Sequence, residues 1–161
     1  MLNEAIENVL NAQIQREFES AYLYLSMAAY FEAENLPGFA HWMRMQSEEE
    51  REHAMRLFDY VLERGGRPQL QAIDEPPGGY DSPFDAVEQA LDHERKITES
   101  IHQIYARAVE ENDYATQSEM QWFVEEQVEE EQSAAGLVAA LRQAGDDSAA
   151  MFILDRELGE R

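Results

Sequence analysis

Apolar residues recur every three or four positions through most of this chain. The pattern breaks at stretches bearing glycine, proline or asparagine, one of them long. That period belongs to amphipathic helices. The first predicted helix runs from about Asn3 to Glu34, with Val9, Leu10, Ile14, Ala21, Leu25 and Ala28 turned inward, and Asn35-Leu36-Pro37 stops it. The second opens at Pro37, a residue suited to a first helical turn, and runs to Arg64, where Gly65-Gly66 ends it. A third begins at Ser82-Pro83, serine as cap and proline in the first turn, and continues to about Glu111. Asn112-Asp113 turns the chain into a fourth helix that ends at Gly145. Asp146-Asp147 then precede a short fifth helix over 148–158.

The stretch from Gly66 to Asp81 has neither period and holds Pro68, Pro76, Pro77, Gly78 and Gly79. So long a loop in a compact domain needs a structural reason. The second helix is roughly 42 Å long at ~1.5 Å per residue. The loop reaches about 53 Å at ~3.3 Å per residue, enough to run the length of a bundle. It can therefore start the third helix parallel to the second, which the two tight turns cannot do. The expected fold is all-α: one domain over 1–161, with a four-helix bundle at 3–145, one long crossover at 66–81 and a short fifth helix.

Polar residues interrupt the apolar stripes in a fixed register. Glu17 is followed 33 positions later by Glu50, with His53 three further on. Glu94 is followed 33 positions later by Gln127, with Glu130 three further on. The two sets lie 77 positions apart, and the same offset pairs Asn35 with Asn112, Glu49 with Glu126 and Glu52 with Glu129. Residues three apart are neighbours on a helix, so each pair can grip one ion. Four carboxylates, Glu17, Glu50, Glu94 and Glu130, thus point into one core with no lysine or arginine on those faces. Buried unpaired, each costs several kcal/mol. Two divalent cations balance their charge, and His53 and Gln127 add neutral ligands. Oxygen-rich sites with one imidazole suit iron or manganese, with zinc a competitor.

Other acids and rings also fit plainer roles. Glu99-x-x-His102 repeats the Glu-x-x-His spacing but lies about 140° round the third helix from Glu94, on a face turned to water. His41 and His93 stand alone and read as surface or packing residues. Glu49, Glu126 and Glu129, with Glu130 shared, form a second acidic group. A cation there would relieve like charges at helical spacing, and a solvated acidic face is the plain alternative. Tyr24 lies two turns along from Glu17, and Trp122 five residues before Gln127; both fit as core aromatics.

Charge removes further classes. The formal net charge is −22, and Lys96 is the sole lysine. No nucleic-acid partner is expected of such a surface, which repels phosphate and attracts cations. Cysteine is absent, which excludes thiolate metal sites and thiol chemistry. The start carries Glu4 and Glu7 and does not read as a targeting segment, and the apolar run from Ala21 to Phe31 is too short to span a bilayer. A cytoplasmic protein with no membrane partner is expected.

Glu17, Glu50-x-x-His53, Glu94 and Gln127-x-x-Glu130 together resemble the ferroxidase centre of the non-haem bacterial and archaeal ferritins. Arg64-Gly65-Gly66, Gln121-Trp122-Phe123-Val124, the acidic run Glu126 to Glu131 and the closing Leu154-Asp155-Arg156-Glu157-Leu158 resemble the same family. The resemblance implies oxidation of Fe(II) by dioxygen or hydrogen peroxide, and ferric mineral stored in a hollow self-assembled shell, usually of 24 subunits. It implies that Glu17, Glu50 and His53 hold one iron, and that Glu50 bridges to a second held by Glu94 and Glu130 with Gln127 nearby. Glu49, Glu126, Glu129 and Glu130 match the family's third iron site, and Tyr24 the tyrosine beside the centre. Bacterioferritins carry a second Glu-x-x-His and a haem-binding methionine; here Gln127-x-x-Glu130 and Arg51 stand instead, so no haem is expected. Rubrerythrins need cysteines that this chain lacks. A peroxide-consuming di-iron protein with incidental storage, and a structural bundle with vestigial acids, remain as rival functions.

Overall fold

The computed structural model describes residues 1–161. Five helices follow in order: α1 (Glu4–Ala33), α2 (Pro37–Glu63), α3 (Pro83–Glu110), α4 (Tyr114–Ala144) and α5 (Ser148–Leu158). Four begin at a side chain that accepts a bond from an otherwise unpaired first-turn N–H. Asn3 accepts from Ala5, Ser82 from Asp85, Asp113 from Thr116, and Asp147 from Ala149 and Ala150. α2 has no such cap of its own, since Leu36 precedes it. Its donor is answered from the far end of the sequence: the Phe39 amide donates to Asp155 Oδ1 of α5 at 3.0 Å. Gly38 permits this approach, because a Cβ there would sit 1.6 Å from the Asp155 carbonyl oxygen.

The internal repeat extends to the backbone. Asn35 and Asn112 both take the left-handed conformation, with φ of 59° and 54°, at the turns that close the two hairpins. Asparagine tolerates that region better than any residue except glycine.

Side-chain bonds set the helix directions. Between α2 and α4, Gln46 pairs with Glu130, Arg56 with Glu119, Tyr60 with Thr116 and Arg64 with Asp113, so the two run antiparallel. Between α1 and α3, Asn3 pairs with Glu111 and Tyr24 with Glu94, again antiparallel. With α1 and α2 folded back on each other, α2 and α3 are parallel, and the connection between them must travel the bundle's length. It does so along α1. The Arg67 amide donates to Glu7, the Gln69 amide to Asn11, Gln15 to the Ala72 carbonyl and Ser26 to the Pro77 carbonyl. The loop is therefore fixed without regular structure of its own.

The core is split in two. One apolar cluster gathers Tyr24, Phe31, Phe39, Met43, Leu137 and Leu141. The other gathers Ile6, Leu10, Ile14, Leu57, Ile101 and Phe123. Leu25 belongs to neither: it is 49% exposed, against the inward position expected from periodicity. The apolar surface of α1 is wider than its core-facing seam. Leu25 sits one residue, about 100°, beyond Tyr24 and joins Phe18, Tyr22 and Ile73 in an outward groove. No helix is long and apolar enough to cross a membrane.

Candidate metal centre

A layer of buried polar side chains separates the two apolar clusters. α1 contributes Glu17, α2 contributes Gln46, Glu50 and His53, α3 contributes Glu94, and α4 contributes Gln127 and Glu130. The helices are long enough that their middles, far from any frayed end, carry these residues. Ligand atoms fall into three groups, each spanning no more than 4.8 Å: Glu17, Glu50 and His53; Glu50, Glu94 and Glu130; and His53, Glu126 and Glu130. Glu50 joins the first two groups, the arrangement expected of a bridging carboxylate. His53 stands between the first and third. Its Nδ1 faces Glu50 at 3.6 Å and Glu17 at 3.9 Å, and its Nε2 faces Glu126 at 3.9 Å.

Three buried oxygens in this layer, Glu17 Oε2 and both of Glu50, receive no hydrogen bond. Unanswered carboxylate oxygens in a protein interior are costly, and the usual answers are a donor, a proton or a cation. Burial, reinforced by neighbouring acids, supplies the proton in the metal-free chain. It lifts Glu17 and Glu50 well above the usual carboxylate range, raises Glu94, and pushes Glu130 up to about 7. No buried lysine or arginine is present to do this work. The donor set is hard oxygen with one imidazole, and it fits two iron ions.

The remaining oxygens are held in place. Gln13 donates to Glu17 Oε1 at 2.7 Å, and Gln46 to Glu130 Oε2 at 2.7 Å. The Tyr24 hydroxyl donates to Glu94 Oε1 at 2.5 Å, and Gln127 to Glu94 Oε2 at 3.2 Å. Tyr24 is wholly buried. Burial and then Glu94 raise its pKa well above that of a free phenol, so it remains a donor. Gln127 faces Glu94 as a donor through its side-chain nitrogen.

The third acidic group is only partly assembled. Glu126 reaches His53 and Glu130, while Glu49 and Glu129 lie outside the group. Glu49 Oε1 instead takes Arg161 Nη2 at 2.8 Å. Glu129 is exposed. Glu99 and His102 are both exposed, in keeping with a surface reading of that spacing.

Several contacts carried no warning in the spacing. His93 is more than a lone packing residue. It meets Ser20 Oγ through Nε2 at 2.7 Å, lies edge-on to Tyr24, and is held down to about 4 by burial and then by Lys96. Trp122 packs edge-on against His53, and the Arg56 guanidinium lies 4.0 Å from its ring centre. The two supporting glutamines could have been found. Gln13 precedes Glu17 by four residues, Gln46 precedes Glu50 by four, and the two are separated by the same 33 positions as the glutamates.

The chain matches the Ferritin family, a ferritin-like domain, over residues 7–144. It is 43% identical over 161 residues to a bacterial non-heme ferritin of Bacteroides fragilis, covering all of both chains. It is 34% identical to one of Staphylococcus aureus, covering 100% of this chain and 97% of that relative. Among solved structures it resembles an open pore ferritin from the hyperthermophilic archaeon Archaeoglobus fulgidus. Identity is 49% and the TM-score 0.99, over 100% of this chain and 99% of that one. A closed form of the A. fulgidus ferritin engineered by site-directed mutagenesis gives 50% identity and a TM-score of 0.99, over 100% and 98%.

Proposed function

As this chain belongs to the non-haem ferritins, which store iron and oxidise Fe(II), we propose the following division of labour among its own residues. Glu17, Glu50 and His53 receive one ferrous ion. Glu94 and Glu130 receive the second, Glu50 spans both, and Gln127 lends a neutral oxygen. The carrying observation is the trio of unanswered oxygens on Glu17 and Glu50. Binding releases the protons that burial keeps there, and the freed negative charge favours the ferric over the ferrous state. Two ferrous ions give one electron each to dioxygen, which leaves as peroxide with two protons, or to hydrogen peroxide, which leaves as hydroxide.

Tyr24 fixes Glu94 through its hydroxyl and so positions that carboxylate beside the metals. Glu126 and Glu130, with Glu49 and Glu129 on the adjoining surface, hold a third ferrous ion on its way to the mineral. Subunits close into a shell of 24 that works in the cytoplasm. Support for the shell is the family membership together with exposed apolar side chains on α5, Phe152 and Ile153, that a lone subunit leaves in water.

Anaerobic Fe(II) titration tests the assignment. The parent should bind three ions per chain, Glu50→Ala should lose the tight pair, and Glu126→Ala should lose only the third. Saturation at three ions in Glu50→Ala would remove the assignment. Light scattering on the eluted particle checks the shell, and a mass short of 24 subunits at any salt concentration rejects that number.

A further inference from the structure

We propose that Arg161 is a tethered counter-cation for Glu49, holding this acid outside the group of His53, Glu126 and Glu130 until a metal ion displaces it. The inference rests on the third-ion reading above. Of the acids assigned to the site, Glu49 alone is paired with an arginine. The guanidinium donates to Glu49 Oε1 at 2.8 Å through Nη2, lies 5.2 Å from the Trp42 ring centre, and approaches the Trp42 carbonyl oxygen at 3.5 Å. The residue's own backbone oxygen meets His41 Nε2 at 3.0 Å. Arg161 is thus held at three points on α2, and α5 is docked just ahead of it by the Asp155–Phe39 bond.

Glu49 lies one turn before His53 on α2, on the side of the metal layer. Its charge already bears on both Glu50 and Glu130. An acid so placed would be drawn to any cation entering between His53, Glu126 and Glu130. Repulsion from Glu50 and Glu130 is offset once a cation enters, and does not then hold Glu49 back. The guanidinium does, and at low cost, because both partners are partly exposed. An ion pair of this kind is weak enough for a divalent ion to break. The result is a third position that fills and empties readily, in contrast with the two buried positions, which have no internal cation to compete with.

The test is anaerobic titration calorimetry with Fe(II) alone on the parent, Arg161→Gln, Arg161→Lys and Glu49→Gln. Removing the competing charge should tighten the third ion by about three- to fivefold, the range of one partly exposed ion pair, and leave the first two unchanged. Arg161→Lys keeps the charge and should behave like the parent. Glu49→Gln should lose the third ion. If Glu49→Gln loses it while Arg161→Gln binds it with parental affinity, the latch is wrong and the third-ion reading stands. If Arg161→Gln binds it more weakly, Arg161 aims Glu49 at the metal, and the proposal is overturned in sign. If Glu49→Gln still binds three ions, both readings of Glu49 fail together.

Discussion

The two hairpins share a register but differ in how fully the acids they carry are supplied with hydrogen-bond donors, two of which cross from the first hairpin to the second. In the first, α1 and α2 place Gln13, Glu17, Gln46, Glu50 and His53. At the matching points of the second, α3 and α4 place Ala90, Glu94, Phe123, Gln127 and Glu130. Glu94 has a donor on each oxygen, Tyr24 and Gln127. Glu50 has none, and Glu17 has only Gln13. One pair of acids is short of hydrogen-bond donors and the other is largely supplied with them. Binding at Glu17, Glu50 and His53 relieves an unmet demand, whereas binding at Glu94 must displace hydrogen bonds already made. On the proposed assignment the near-symmetric frame would hold two unequal positions, and the first is expected to bind more tightly than the second.

The sharpest way to break that comparison is at Glu50, which belongs to both positions. Glu50→Ala should slow Fe(II) oxidation by at least about a hundredfold, as expected when bound geometry and charge are lost together. Loss of Fe(II) under air, followed with a ferrous chelator, measures it. Glu99→Ala, on the exposed face of α3, should oxidise at the parental rate. Next comes the order of filling. Tyr24→Phe frees Glu94 Oε1, so the second ferrous ion should bind several-fold more tightly while the first is unchanged. Equal gains at both positions would erase the asymmetry.

A pH series sharpens the same contrast in the metal-free protein. Raised carboxyl pKa values mean that the folded chain holds protons the unfolded chain has lost. Their contribution to stability is complete below the unfolded value near 4.5 and disappears as pH rises through the folded values, with Glu130 at about 7. The metal-free midpoint of thermal unfolding should therefore fall between about pH 5 and pH 8. The fall should be smaller in Glu130→Gln. With Mn(II) bound the trend should reverse, because rising pH removes the protons that compete with metal. The smallest effect is expected at Glu129→Gln. This residue is exposed and, of the four acids proposed to hold the third ion, has the weakest share, so third-ion affinity should move by no more than about twofold.

Much of this was legible in the sequence because it was local or periodic. Caps at Ser82, Asp113 and Asp147 act within four residues. The 33- and 77-residue spacings follow from two hairpins of similar build, with helices of 30 and 27 residues and of 28 and 31, which bring matching turns to one level. The crossover was forced by reach alone. What escaped depends on distant partners or on the width of an apolar face. Leu25 has the right period for the core but sits beside its seam. Gln46 serves Glu130 on another helix rather than its own neighbour Glu50. Arg161 finds Glu49 only once α5 has folded back on α2, and no spacing in the chain announces that contact.

The bond from Phe39 to Asp155 has a temporal consequence. The two residues are 116 positions apart. Chains are synthesised from the N-terminus and begin to fold as they emerge. The α1–α2 hairpin is thus complete in length well before the ribosome delivers the group that finishes the start of α2. Through that interval the helix bearing Glu50 and His53 has an open first turn and is free to fray. The fraying stays at that end of α2, more than three turns from Glu50, and the start of the helix becomes firm only when α5 arrives to close it.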